Sequence, residues 1–150
     1  GLAFGLVPFA AVPAGILAGR LSDRIGKRNV IMAALIPVAT FGLLAIEVLP
    51  GRTGLFLGLI IYGLAGKLVI DPLIVALAAD TAPPSLYGTA FGILNFASAV
   101  PTVVAPLVTG YLADRTGNFA AAFYLAAALQ GVAFLALAGI KEAQTVRRDA

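Results

Sequence analysis

The sequence lacks the residues on which several kinds of chemistry depend. Its 150 residues include no cysteine and no histidine. Disulfides, thiolate chemistry, the usual zinc sites and imidazole acid–base catalysis are therefore excluded from it. Clustered carboxylates and metalloprotease patterns are also missing, and Leu68 stands where a P-loop after Gly66-Lys67 needs serine or threonine. We expect no metal, no cofactor and no enzyme.

Charge is scarce as well. Only 11% of residues are charged while 61% are hydrophobic, and the mean hydropathy is +1.02. A soluble domain is roughly 25% charged and 45–50% apolar. The net charge of +3 comes from bases beside apolar runs rather than along one polar face, which disfavours a nucleic-acid partner. Most of this surface is expected to lie in a lipid bilayer.

What the sequence does have is long apolar runs. A run of about 18 residues or more is long enough to cross the ~30 Å hydrocarbon core as a helix. Five qualify, and a polar tail follows them: 1–19, 30–49, 54–79, 88–113 and 119–140, then 141–150. Short connectors predict that successive helices are antiparallel neighbours. The predicted fold class is therefore all-α, a polytopic membrane helix bundle, with bends at Pro72, Pro101 and Pro106.

The basic residues predict an orientation, because lysine and arginine stay preferentially on the cytoplasmic side. Seven of the ten fall on one face of the five-span arrangement and two on the other. The seven are Arg20, Arg24, Lys27, Arg28, Lys141, Arg147 and Arg148; the two are Arg52 and Arg115. The first connector and the C-terminus are therefore expected in the cytoplasm. Gly1 lies inside an apolar run with no initiator Met or signal peptide before it, so we expect a fragment.

An eight-residue pattern occurs twice. Residues 19–26 read GRLSDRIG and residues 110–117 read GYLADRTG, so that five of eight positions agree. Three spans separate the copies, which must therefore emerge on opposite faces of the membrane. Inverted repeats of this kind are characteristic of secondary transporters. Coincidence is the alternative, because glycine, aspartate and arginine are common at membrane boundaries.

The segment from Gly19 to Arg28 resembles the signature cytoplasmic loop of the major facilitator superfamily, which joins helices two and three and recurs between eight and nine. Because a polar tail follows the fifth span, the resemblance implies helices eight to twelve, the C-terminal half of a twelve-helix fold with inverted repeats, without its N-terminal half. The implied cytoplasmic gating loop uses Gly19, Asp23, Arg24, Gly26 and Arg28, and its inverted-repeat counterpart uses Gly110, Asp114, Arg115 and Gly117. Its glycines are expected to allow close helix approach and a tight turn. The alternative role is a basic stop signal that only sets topology.

Residues 66–72 and 82–96 are similar to the tenth and eleventh helices of the anion:cation symporter branch of that superfamily. The resemblance implies transport of a small organic anion together with protons across the plasma (inner) membrane. Two alternatives stay open: a proton-coupled exporter of drugs or metabolites, and a non-transporting membrane scaffold subunit.

Three polar residues inside the spans are the candidates for substrate binding or coupling. Lys67 and Asp71 are spaced i and i+4 on one helical face near the middle of the third span. Intramembrane charges are expensive and commonly mark transport pathways. Asn95 offers a donor and an acceptor in a span otherwise poor in polar groups. The structural alternatives are a self-neutralising ion pair and a hydrogen bond between helices.

Overall fold

The computed structural model describes residues 2–49 and 51–139, and the regular structure within those ranges is helical. The predicted polar tail at 141–150 lies outside the described residues. The helices are α1 (Leu2–Ile25), α2 (Arg28–Val48), α3 (Gly51–Ala65), α4 (Lys67–Thr81), α5 (Tyr87–Thr116) and α6 (Ala120–Gly139), with a 3₁₀ turn (Pro84–Leu86) before α5.

Over the described ranges, five helical segments are long and apolar enough to cross a membrane, with α3 and α4 forming the third of them. The predicted all-α membrane bundle is confirmed. The first and fourth spans run further than the apolar runs that predict them, to Ile25 in α1 and to Thr116 in α5. Both extensions lie within the repeated pattern. In each copy the helix ends at the residue before the last glycine of the pattern.

Helix α3 packs against α1 and α2 through residues with almost no side chain. The buried residues of α3 are Gly54, Gly58, Gly63 and Ala65. A Cβ on Gly58 would lie 2.7 Å from the carbonyl oxygen of Gly42 in α2, and one on Gly63 would lie 2.8 Å from the carbonyl oxygen of Val7 in α1. Small residues at such contacts let helix backbones approach closely, as membrane helices commonly do.

The apolar core lies further along the bundle, where α4 meets α1 and α2. Val69 and Leu73 of α4 are buried there, and the rest of the cluster comes from the other two helices: Ala11, Ala18, Ile31 and Met32. Leu73 follows Val69 at i+4 on one face, which is the spacing that lets a helix present a continuous apolar stripe.

Helices α5 and α6 lie at the periphery. Neither contains a buried residue. Within the described residues α6 packs on α2 and α5, and α5 otherwise contacts only α4 and the 3₁₀ turn. One polar contact links α6 to the bundle: the Thr40 hydroxyl of α2 lies 2.7 Å from the side-chain amide oxygen of Gln130. The exposed apolar side chains of α5 and α6 suit a lipid environment.

Candidate functional site

The third span is interrupted near its middle. Helix α3 ends at Ala65, Gly66 is extended, and α4 begins at Lys67. The Gly66 carbonyl accepts from the N–H groups of Val69 and Ile70 at 3.0 and 3.2 Å. The sequence predicts a bend at Pro72, but α4 continues through Pro72 and the interruption lies six residues earlier.

Lys67 and Asp71 lie in the first turns of α4, directly after this interruption. Their ammonium and carboxylate groups form the predicted i,i+4 ion pair. The two side chains are 55% and 42% exposed, so the pair is not enclosed by the helices described. A helix N-terminus carries a partial positive charge and unpaired N–H groups, and Lys67 adds its ammonium at the same place.

An apolar cavity of about 550 Å³ adjoins the interruption on the α3 side. Tyr62 and Leu68, on either side of Gly66, line it, and Phe123 closes it from α6. The Tyr62 ring packs against Gly66 so tightly that a Cβ there would lie 2.9 and 3.0 Å from two ring carbons. Lys67 is not part of the cavity wall, so the cavity and the ion pair are adjacent but separate features.

Asn95, the third candidate, is exposed on α5. Among the described residues it has no side-chain hydrogen bond and no contact with the Lys67–Asp71 pair that the structure records. The structure brings together two of the three candidates and leaves Asn95 apart from them.

The first copy of the repeated pattern ends α1 and leads into α2. Gly26 has a positive φ of 69°, and its N–H donates to the Ser22 carbonyl at 2.9 Å, which closes the helix. The chain reverses, and Arg28 donates through Nη1 to the Asp23 carboxylate at 3.2 Å. The tight turn expected of Gly26 is therefore present. Arg24 is exposed, and the described residues give it no ion pair.

Arg28 also contacts a residue that sequence reasoning did not select. Its Nε donates to the Asp80 carboxylate at 2.6 Å, which links the α1–α2 connector to the C-terminal end of α4. Asp23, Arg28 and Asp80 form what we call the ion cluster. A signal for Asp80 was available, because counting spans puts the end of the third span on the same face as the first connector.

The second copy repeats the turn but not the cluster. Gly117 has a φ of 75° and its N–H donates to the Ala113 carbonyl at 2.8 Å, so the two copies end their helices alike. Arg115 lies over the Tyr111 ring at 5.3 Å from its centre. Among the described residues Asp114 makes no ion pair.

The first glycines of the two copies do not play the part expected of them. A Cβ on Gly19 or Gly110 would meet no atom within 4 Å. The structure therefore shows no close helix approach at these positions within the described residues. Close approach occurs instead at the glycines of α3.

A model of the Major Facilitator Superfamily matches residues 1–149. The chain belongs to that superfamily, a family of membrane transporters. It is 31% identical over 139 residues to the voltage-gated purine nucleotide uniporter SLC17A9 of Mus musculus, which covers 88% of this chain and 31% of the relative. No solved structure gives a significant match.

Two further relatives are informative. The SLC17A9 uniporter of Homo sapiens is 28% identical over 153 residues, covering 97% of this chain and 35% of the relative. The probable sulfoacetate transporter SauU of Cupriavidus necator is 42% identical over 59 residues, covering 39% of this chain and 14% of the relative. The chain thus spans about a third or less of the length of these curated relatives.

Proposed function

We propose that this facilitator chain is helices eight to twelve of a twelve-helix carrier that moves a small organic anion across the plasma (inner) membrane. The carrier works by alternating access between two six-helix halves, with the C-terminus in the cytoplasm. The chain matches only about a third of the length of the mouse relative. This supports a carrier in which the chain acts together with a further half. In such a carrier the ion cluster belongs to the cytoplasmic gating loop and serves as the latch that holds the cytoplasmic side closed.

The observation that carries the proposal is the exposed Lys67–Asp71 pair at the interruption of the third span. Interrupted membrane helices are tolerated where they line a cavity or a binding site, and their N-terminal ends face anionic groups of substrates. Here the positive end of α4 and the Lys67 ammonium coincide. Purine nucleotides and sulfoacetate, the solutes in the relatives' names, are both anions.

Proton coupling is assigned to Asp71. Protonation of this carboxylate frees Lys67 for a substrate anion, and deprotonation restores the pair and releases the anion. The relatives named as voltage-gated uniporters favour a second candidate, in which the membrane potential alone drives the anion and Asp71 only balances Lys67. The proton-coupled exporter and the scaffold subunit predict no anion uptake through this pair.

The test is uptake of sulfoacetate and of a purine nucleotide into proteoliposomes that contain the full-length carrier. Lys67→Met removes a charged partner and is expected to lower uptake about 10- to 100-fold, the range that losing a hydrogen bond to a charged group gives. Arg52→Ala removes an exposed base at the start of α3 and is the control, with uptake unchanged.

The double variant K67M/D71L separates function from structure, because it removes both charges and leaves neither one uncompensated. It should remain folded, as judged by monodispersity, yet inactive. Recovery of uptake in the double variant would mean that the pair is only structural. Under symport, an imposed pH gradient drives uptake and D71N abolishes that stimulation. Uptake that follows the imposed voltage alone, with D71N active, would establish uniport instead.

A further inference from the structure

Two polar side chains are buried without partners next to the ion cluster. Ser22 is 1% exposed and Asn29 is 8% exposed. Among the described residues, Ser22 Oγ and Asn29 Oδ1 have no hydrogen-bond partner. A buried polar atom left unpaired carries its full desolvation penalty, and such atoms are rare in folded proteins.

Each of the two side chains shares a helix face with a residue of the apolar core. Ser22 follows Ala18 at i+4 on α1, and Asn29 precedes Met32 at i+3 on α2, so each shares a face with a core residue. Ala18 and Met32 lie in the same buried cluster. The adjacent residues Asp23 and Arg28 are joined at 3.2 Å. Ser22 and Asn29 are therefore buried on helix faces that lead from the ion cluster toward the apolar core.

The second copy of the repeated pattern shows that the Ser22 hydroxyl is not needed for the local turn. Ala113 occupies the equivalent position, and its carbonyl closes the helix at 2.8 Å against 2.9 Å for Ser22. A hydroxyl that the turn does not use, and that burial penalises, requires another partner.

We propose that Ser22 and Asn29 bind one buried water molecule that joins the end of α1 to the start of α2 beneath the ion cluster. The water donates one hydrogen bond to Asn29 Oδ1 and accepts one from the Ser22 hydroxyl. Buried waters typically satisfy two to four polar groups of this kind and are costly to remove. The site depends on no assumption about the transported solute.

The sign of one stability change tests the proposal. If Ser22 Oγ is unpaired, Ser22→Ala removes a penalised atom and raises the melting temperature of the full-length protein. If it holds water, the same substitution leaves Asn29 Oδ1 and the water short of a partner and lowers the melting temperature by about 2–4 °C. Ser98→Ala on the exposed face of α5 is the matched control for the helix propensity gained by alanine.

An S22A melting temperature equal to or above that of S98A would overturn the proposal. A density map at about 2 Å resolution gives the second readout. The expected result is one water about 2.7–3.2 Å from both oxygens, absent in S22A. A direct Ser22–Asn29 hydrogen bond with no atom between them would overturn the proposal even if S22A were destabilising.

Discussion

At the scale of single residues, Arg28 makes the contacts that distinguish the two copies of the repeat. Its guanidinium reaches one carboxylate near the end of α1 and another at the end of α4. The Asp80 contact is the shorter, and the Asp80 side chain is the less exposed of the two acids. An exposed ion pair contributes about 0–1 kcal/mol and is weakened by salt, whereas a shared guanidinium couples the pairs.

The latch hypothesis predicts different outcomes for two neighbouring arginines. Arg28→Ala removes both ion pairs and is expected to change the turnover rate at saturating solute, while Arg24→Ala, which removes an exposed charge from the same connector, leaves it unchanged. Asp80→Asn should reproduce most of the R28A effect, and Asp23→Asn less. The turnover rates of these variants are measured as proteoliposome uptake at low and at high ionic strength. Equal effects of R24A and R28A would instead support a purely topological role for the bases.

Residue-level prediction from sequence succeeded where the partners are close along the chain. The Lys67–Asp71 pair follows from i,i+4 spacing alone, whereas the sequence did not select Arg28 among the loop's arginines as the partner of Asp23. Asp80 lies 52 residues from Arg28, and no local pattern connects them. Sequence spacing also carries no information about which face Asn95 presents, because its neighbours on other helices decide that.

At the scale of elements, the close contact between α2 and α3 depends on glycine. A Cβ on Gly58 would meet backbone atoms of α2, the Gly42 oxygen at 2.7 Å and the Ile46 nitrogen at 2.9 Å. Backbone cannot move aside as a flexible side chain can. The two helices must then separate, which loses packing along their whole contact.

Gly58→Ala is therefore expected to destabilise the protein by about 1–3 kcal/mol, the usual effect of overpacking. Gly131→Ala on α6 is the control, since a Cβ there would meet nothing within 4 Å and alanine favours the helix. Thermal unfolding in detergent measures both. A G58A protein as stable as G131A would show that α2 and α3 do not pack as closely as described.

Element boundaries were predictable only in part. Hydropathy locates the spans because crossing a bilayer is a property of a whole apolar segment. The interruption at Gly66 was missed because a single glycine is tolerated inside a helix, whereas proline is the stronger helix breaker. The Tyr62 ring that packs against Gly66 leaves no room for a Cβ there, a contact that only the folded span creates.

At the scale of the whole molecule, the ion cluster fixes which ends of the helices lie together. The end of α1, the start of α2 and the end of α4 share one face, as antiparallel neighbours require. The opposite face carries the second copy of the repeat. The distribution of bases predicts that the face with the ion cluster is cytoplasmic.

Single cysteines test that orientation, and this part of the chain contains none to remove. Lys27→Cys in the first connector should resist a membrane-impermeant maleimide added to intact cells and react after permeabilisation. Asn118→Cys, in the exposed connector between α5 and α6, should react in intact cells. The reverse pattern would invert the orientation and move the latch to the outer face.

The interruption at Gly66 also divides the third span mechanically. The half formed by α3 is held to α1 and α2 by backbone-to-backbone contacts at glycines, which tolerate little sliding. The half formed by α4 is held by interdigitated apolar side chains and one salt-sensitive ionic tie. We therefore expect any bending of the third span during transport to occur at Gly66, with α3 keeping its position and the end of α4 that carries Asp80 moving.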